Sequence, residues 1–181
     1  MTEINSRLLR QFVNMACERL TGDWVIIGGT VLPILGVNYR VTIDIDVAKG
    51  QKESPDQTLE LMKIAEDLNL PIEAINQAGS FFLRKIKNWE SNLVLLKGTK
   101  STKIFRPNAT LFFQLKIARL TQNDLQDCLE MLKNLKKIKE PMDAELIIGK
   151  LFEEIKIEKS DPERKIRLSQ LLEAVKGFSK S

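Results

Sequence analysis

Two carboxylates separated by a single residue, Asp44 and Asp46, lie in the run Arg40-Val-Thr-Ile-Asp-Ile-Asp-Val47. In an extended strand successive side chains take opposite faces, so the two aspartates point the same way, about 6.6 Å apart along the backbone. Val41, Ile43, Ile45 and Val47 then take the other face. Oxygen donors in this arrangement suit a hard divalent cation such as Mg²⁺ or Mn²⁺. Arg40 and Thr42 alternate onto the aspartate face. Arg40 is a candidate phosphate ligand, and Thr42 is a candidate hydrogen-bond donor to the carboxylates. The alternative is a solvated strand face, although aspartate is depleted in strands and two of them need compensation.

Upstream, the apolar run Trp24–Ile27 ends in Gly28-Gly29-Thr30. One glycine serves a tight turn. A second lets a backbone approach a phosphate closely, with successive N–H groups available to it. The segment lacks the Lys-Ser/Thr ending of a P-loop and the spaced glycines of a dinucleotide fingerprint. A further set follows in 111–132, where Lys116 sits in an apolar helical pattern and Asp124 and Asp127 share a helix face. Snorkelling explains the lysine equally well, and helix-start electrostatics the aspartates.

Composition narrows the chemistry. The 181 residues contain no His, which removes His general bases, His metal ligands and the Ser-His-Asp triad. The two cysteines, Cys17 and Cys128, lie far apart in helical apolar patterns and read as buried free thiols. No apolar run approaches the roughly 18 residues that span a bilayer, and the start of the chain shows no signal-peptide pattern, so no membrane association and a cytoplasmic protein are expected. Charge is uneven: residues 1–90 carry 10 Lys+Arg against 12 Asp+Glu, and residues 91–181 carry 18 against 12. The basic half suits a polyanion, or is simply a solvated helical surface.

The elements that must position these residues follow from periodicity. Helices are expected over 4–20, 56–69, 108–120, 123–138, 142–157 and 161–175, and a small apolar helix or turn over 29–36. In the helix over 56–69, Leu59, Met62, Ile64, Ala65 and Leu68 face inward. Strands are expected over 24–27, 40–47, 80–86, 92–96 and 102–105, with a polar loop at 49–55. Asn108 is a candidate N-cap, and Ser160-Asp161-Pro162 reads as a helix start. The fold class is therefore α+β: a small mixed sheet backed by helices, then an all-helical part. The domain reading is an α/β core over 1–107 with a helical region over 108–181 packed on it.

Taken together, Gly28-Gly29-Thr30, Arg40-x-Thr42-x-Asp44-x-Asp46, Lys116 and Asp124-x-x-Asp127 resemble the nucleotidyltransferase superfamily that includes DNA polymerase β. More narrowly, their order is similar to the minimal nucleotidyltransferases of the AbiEii type, the toxin half of type IV toxin–antitoxin systems. The resemblance covers about residues 24–132. It implies that Gly28, Gly29 and Thr30 cradle a nucleoside triphosphate, with Arg40 assisting, and that Asp44 and Asp46 hold Mg²⁺ or Mn²⁺. It further implies that Lys116 contacts phosphates and that Asp127 is the base, supported by Asp124. It also implies an RNA acceptor, tRNA above all, and an antitoxin protein as partner.

One departure bears on turnover. Polymerase-like members carry a third carboxylate on a later strand, and the run Asn92–Leu96 has none, with Glu90 just before it. Two rival readings stay open: a degenerate module that binds nucleotide without transfer, and a partner-binding protein that uses its basic helices.

Overall fold

Trp24, Val25, Ile26 and Ile27 follow one another without a polar break, and a strand apolar on both faces belongs in the middle of a sheet. In the computed structural model, which describes residues 4–49, 55–77 and 79–180, this run lies in the central strand β1 (Gly22–Ile27). β1 pairs antiparallel with β2 (Ile45–Lys49) and parallel with β5 (Thr102–Pro107). The edges are β3 (Ile75–Asn76), parallel to β2, and β4 (Leu93–Gly98), antiparallel to β5. The spatial order is β3-β2-β1-β5-β4.

Two helices cover one face. α1 (Ser6–Arg19) starts where the Asn5 side chain accepts the Arg7 and Leu8 N–H groups. It buries Leu9, Phe12 and Ala16 against Trp24 and Ile26 of β1, Ile45 and Val47 of β2, and Ile104 of β5. α3 (Pro55–Asp67) adds Leu61, Ile64 and Ala65 to the same core. Between β1 and β2 lie a 3₁₀ turn, Gly28–Thr30, and the single-turn helix α2 (Val31–Ile34).

Four local expectations need correction. First, the strand over 40–47 begins only at Ile45, so Asp44, Thr42 and Arg40 precede it. Ile27 is the last residue of β1 and is in register with Asp46. Residues before Ile45 thus have no ladder partner in β1. Val41 and Ile43, expected on the face opposite the aspartates, are 56% and 41% exposed, whereas Thr42, expected on the aspartate face, is buried and its carbonyl accepts the Ile4 N–H at 2.8 Å. Second, 80–86 is not a strand: α4 (Ser80–Leu83) closes with Leu83 N–H to Gly79 O and Arg84 N–H to Ser80 O. The aromatic pair Phe81-Phe82 favours strands by type, but Leu83 is the residue that buries. Third, Leu59 and Met62 of α3 are exposed and Leu61 is inward. Fourth, β3 has no counterpart in the expected elements; two residues are too few for periodicity to reveal. Of the loop expected at 49–55, residues 50–54 lie outside the described residues.

The chain divides into two compact units, Met1–Pro107 and Asn108–Ser181. The second is helical: α5 (Ala109–Ile117), α6 (Gln122–Ile138), α7 (Ala144–Ile157) and α8 (Pro162–Ser179). Each has a side-chain N-cap, from Asn108, Thr121, Asp143 and Asp161, and Pro162 opens α8 where its missing N–H costs nothing. Both cysteines are free and buried. Among the described residues no helix is long and apolar enough to cross a membrane.

Candidate active site

The first unit builds its site where β1 ends. Gly28 has φ +72°, the left-handed region that side chains rarely adopt. A Cβ at Gly28 would lie 2.0 Å from Asp46 Oδ2, so the turn passes directly over that carboxylate. The register Ile27↔Asp46 sets this approach, because the glycine turn follows the last paired residue of β1. On its other side Asp46 is in register with Asn76 of β3. Thr30 is fully buried and its hydroxyl donates to Ile27 O at 2.7 Å, so its side chain holds the turn closed. Backbone N–H groups are what this turn can offer a phosphate.

Asp46 is half-buried and Asp44 is exposed. Two carboxylates with hard oxygen donors fit a cation that keeps most of its coordination for water and substrate phosphate, as Mg²⁺ does. Among the described residues no group of three or more Asp, Glu, Cys or His is placed to hold a metal. Arg40 is exposed, with Nε donating to the Tyr39 hydroxyl at 2.9 Å.

The second unit holds a buried ionic cluster. α5 stops at Ile117, Leu120 takes φ +39°, and α6 starts in a capping box between Thr121 and Asp124. The break folds Lys116 back over the start of α6. Its Nζ donates to Asp124 Oδ1 at 2.9 Å and to Asp127 Oδ2 at 2.6 Å. All three are buried, at 6%, 1% and 0% exposure. Arg119 adds a two-pronged contact to Asp124, at 2.9 and 3.0 Å. Burial pulls the Lys116 ammonium down, but Asp124 and Asp127 more than offset it and leave it above its ordinary value. Burial pushes the Asp124 carboxyl up, and Arg119, Lys116 and Thr121 reverse that, holding it well below the usual carboxylate range. Burial also pushes the neighbouring Cys128 thiol well up, which leaves it unreactive.

With this geometry in view, the comparison with known families is direct. A family model described as nucleotidyltransferase of unknown function (DUF6036) matches residues 6–172. The chain belongs to that family. No curated protein and no solved structure matches it.

Most of the predicted residues thus fall into two groups. Gly28, Gly29, Thr30 and Asp46 come together at the end of β1, with Asp44 two residues before Asp46 and off the strand. Lys116, Asp124 and Asp127 come together at the α5–α6 break. Thr42, expected beside the carboxylates, is buried, and its backbone is tied to Ile4.

Sequence reasoning missed Asn76, which a two-residue edge strand brings alongside Asp46. It also missed the bracing of the α5–α6 break by α8. Arg164 Nη2 donates to Ile117 O at 3.0 Å and Arg167 Nε donates to Leu120 O at 2.7 Å, satisfying carbonyls left open where α5 ends. Glu154 and Glu158 in turn hold Arg164. The only sequence signal was a pair of arginines in a mixed-charge helix.

Proposed function

We propose that this protein transfers a nucleoside monophosphate from a nucleoside triphosphate to an acceptor hydroxyl, with Mg²⁺ or Mn²⁺ as cofactor. The acceptor oxygen attacks the α-phosphorus, the bond to the bridging oxygen breaks, and pyrophosphate leaves. The observation that carries this reading is the Gly28 backbone lying against the Asp46 carboxylate, in a chain of a nucleotidyltransferase family. A phosphate held by the turn's N–H groups would then lie beside a carboxylate suited to a divalent cation. Such a cation supplies charge neutralisation at the phosphates when bound. Asp44 and Asp46 would hold it, Gly28, Gly29 and Thr30 would offer backbone donors, and Arg40 would meet phosphate charge.

RNA, of the tRNA class, is the acceptor we favour, supported by the motif order. The AbiEii-type resemblance extends the reading to a cytoplasmic toxin held by an antitoxin protein. Lys116 and Asp127 take a different role from the one that resemblance implies. Each already has its charge met inside the second unit, so we assign them, with Asp124, to positioning the helices rather than to phosphate contact and proton removal.

A second reading, nucleotide binding without transfer, is favoured by one observation. Neither β4 nor β5 contains a carboxylate, and Glu90 lies in the turn before β4. Incubation with each α-labelled triphosphate and total RNA separates the two. Transfer lost in the Asp44→Asn/Asp46→Asn variant, with its fold intact, supports the enzyme. Wild type that binds triphosphate and labels neither RNA nor protein supports the binding module. Undiminished labelling by the double variant moves the chemistry elsewhere.

A further inference from the structure

Two adjoining hollows lie along α1 in the first unit, and both are lined by Ser6 and Pro33. One, of about 360 Å³, has Arg7 and Arg40 in its wall, with Asn5 and Asn38. The other, of about 330 Å³, has an aliphatic wall that includes Val13, Ile34 and Leu96, with Arg10 and Lys97 on it. Among the described residues lining them there is no carboxylate. Four cations therefore follow one groove, although residues 1–90 as a whole carry more acidic than basic side chains. Arg7, Arg10 and Arg40 are exposed, and Lys97 is held by Asn14 at 2.6 Å.

The chain that leaves the nucleotide turn enters the wall of the groove. Gly28–Thr30 runs straight into α2, whose Pro33 and Ile34 form part of the wall. Pro33 is four residues past Gly29, about 6 Å along a helix axis.

We infer that this groove seats the acceptor strand as a single-stranded RNA end. Arg7, Arg10 and Lys97 contact successive phosphates, and the slot beside Val13, Ile34 and Leu96 takes one unstacked base. The inference rests on the nucleotidyl-transfer reading and deepens it by locating the acceptor. Three features favour a nucleic acid strand over an acidic peptide. The cations lie in the walls of both hollows, two in each. The apolar volume is that of a small-ligand pocket, suited to one planar ring. The groove is also joined to the turn by the short segment 28–34, which supplies Pro33 and Ile34 to its wall.

The test measures binding and transfer separately. Binding uses a fluorescein-labelled 12-nucleotide single-stranded RNA, read by anisotropy across a salt series. Arg7→Glu/Arg10→Glu is expected to weaken binding at least 10-fold and to make the slope of log K against log salt shallower by about 1.4, two phosphate contacts' worth on a single strand. Val13→Trp, which fills the slot, is expected to weaken binding while keeping the slope. Arg10→Gln/Lys97→Gln, a milder change, serves if the reversal fails to fold. Lys159→Glu/Lys165→Glu, an equal charge change on exposed positions of the helical unit, is expected to alter affinity less than twofold. Equal loss in that control, unchanged binding in the groove variants, no RNA binding by wild type, or displacement by poly-glutamate as effectively as by RNA would each overturn the groove. RNA binding through the groove without any nucleotide transfer leaves the groove standing and removes the transfer reading. Transfer that the groove variants leave intact does the reverse.

Discussion

Lys116 and Asp127 are 11 residues apart and meet at 2.6 Å. On one continuous helix that separation would be about three turns and ~16 Å. The chain instead breaks after Ile117, passes through Leu120 at positive φ, and restarts at Gln122. The ion pair is thus a product of the break, and α8 secures the break by donating Arg164 and Arg167 to its open carbonyls.

Removing Lys116 should therefore be a stability event. Lys116→Met removes the ammonium that two buried carboxylates share, Asp124 keeping Arg119, and loss of one partner from a buried ionic cluster costs about 3–5 kcal/mol. Urea denaturation of Lys116→Met against wild type checks this. A loss below about 1 kcal/mol would mean that the cluster is solvated and that the positioning role is wrong.

Asp127→Asn discriminates positioning from catalysis. The positioning role predicts a lower melting temperature, with kcat per folded molecule within about threefold of wild type. A base role predicts the opposite: an unchanged melt, a kcat reduced by about 10²–10⁴, and triphosphate affinity retained. Single-turnover transfer and thermal melts on the same preparation decide between them.

Gly28→Ala should be damaging for two separable reasons. The backbone conformation is strained for any side chain, and the new Cβ meets Asp46 Oδ2. Gly36→Ala provides the reference, since Gly36 also has positive φ, +80°, but nothing lies within 4 Å of its Cβ position. The expected result is a greater loss of stability at Gly28 than at Gly36, with part of the excess recovered in Gly28→Ala/Asp46→Ala. Equal losses at both glycines would show that the approach to Asp46 is looser than 2.0 Å implies.

The helical unit should be acid-sensitive. Arg164 and the backbone N–H groups of Asp161 and Ser160 hold the Glu158 carboxyl down to about 2, and Asp124 is likewise depressed. A depressed carboxylate contributes stability that is fully present above its ordinary unfolded value. That contribution is lost as pH falls through the folded one. For Glu158 the window runs from about 4.5 down to about 2. Glu158→Gln should flatten the melting temperature against pH in this range. An unchanged profile would place the acid sensitivity in other groups. At the alkaline end the raised Lys116 has the opposite sign: its contribution holds below its ordinary value and is lost as pH rises past the folded one.

Much of the site was legible in the residues because local rules govern it. An apolar run ending in Gly28-Gly29 means a central strand followed by a turn that only glycine tolerates, and an Asp in the next strand lies close by because antiparallel neighbours return past each other. The α+β class follows from the switch between period-2 and helical patterns, and the caps at Asn108 and Asp161 from side-chain chemistry. Other features depended on groups distant in sequence. Asp44 leaves the strand because β1 ends opposite Asp46, a register no alternation pattern encodes. Asn76 reaches Asp46 through pairing of a two-residue edge strand. Lys116 turns inward rather than to solvent because a helix break, braced 47 residues away by Arg164 and Arg167, brings two carboxylates to it. Local sequence sets which conformations are inexpensive. Which charges end buried together is decided by packing, because only the assembled unit supplies the partners that make such burial tolerable.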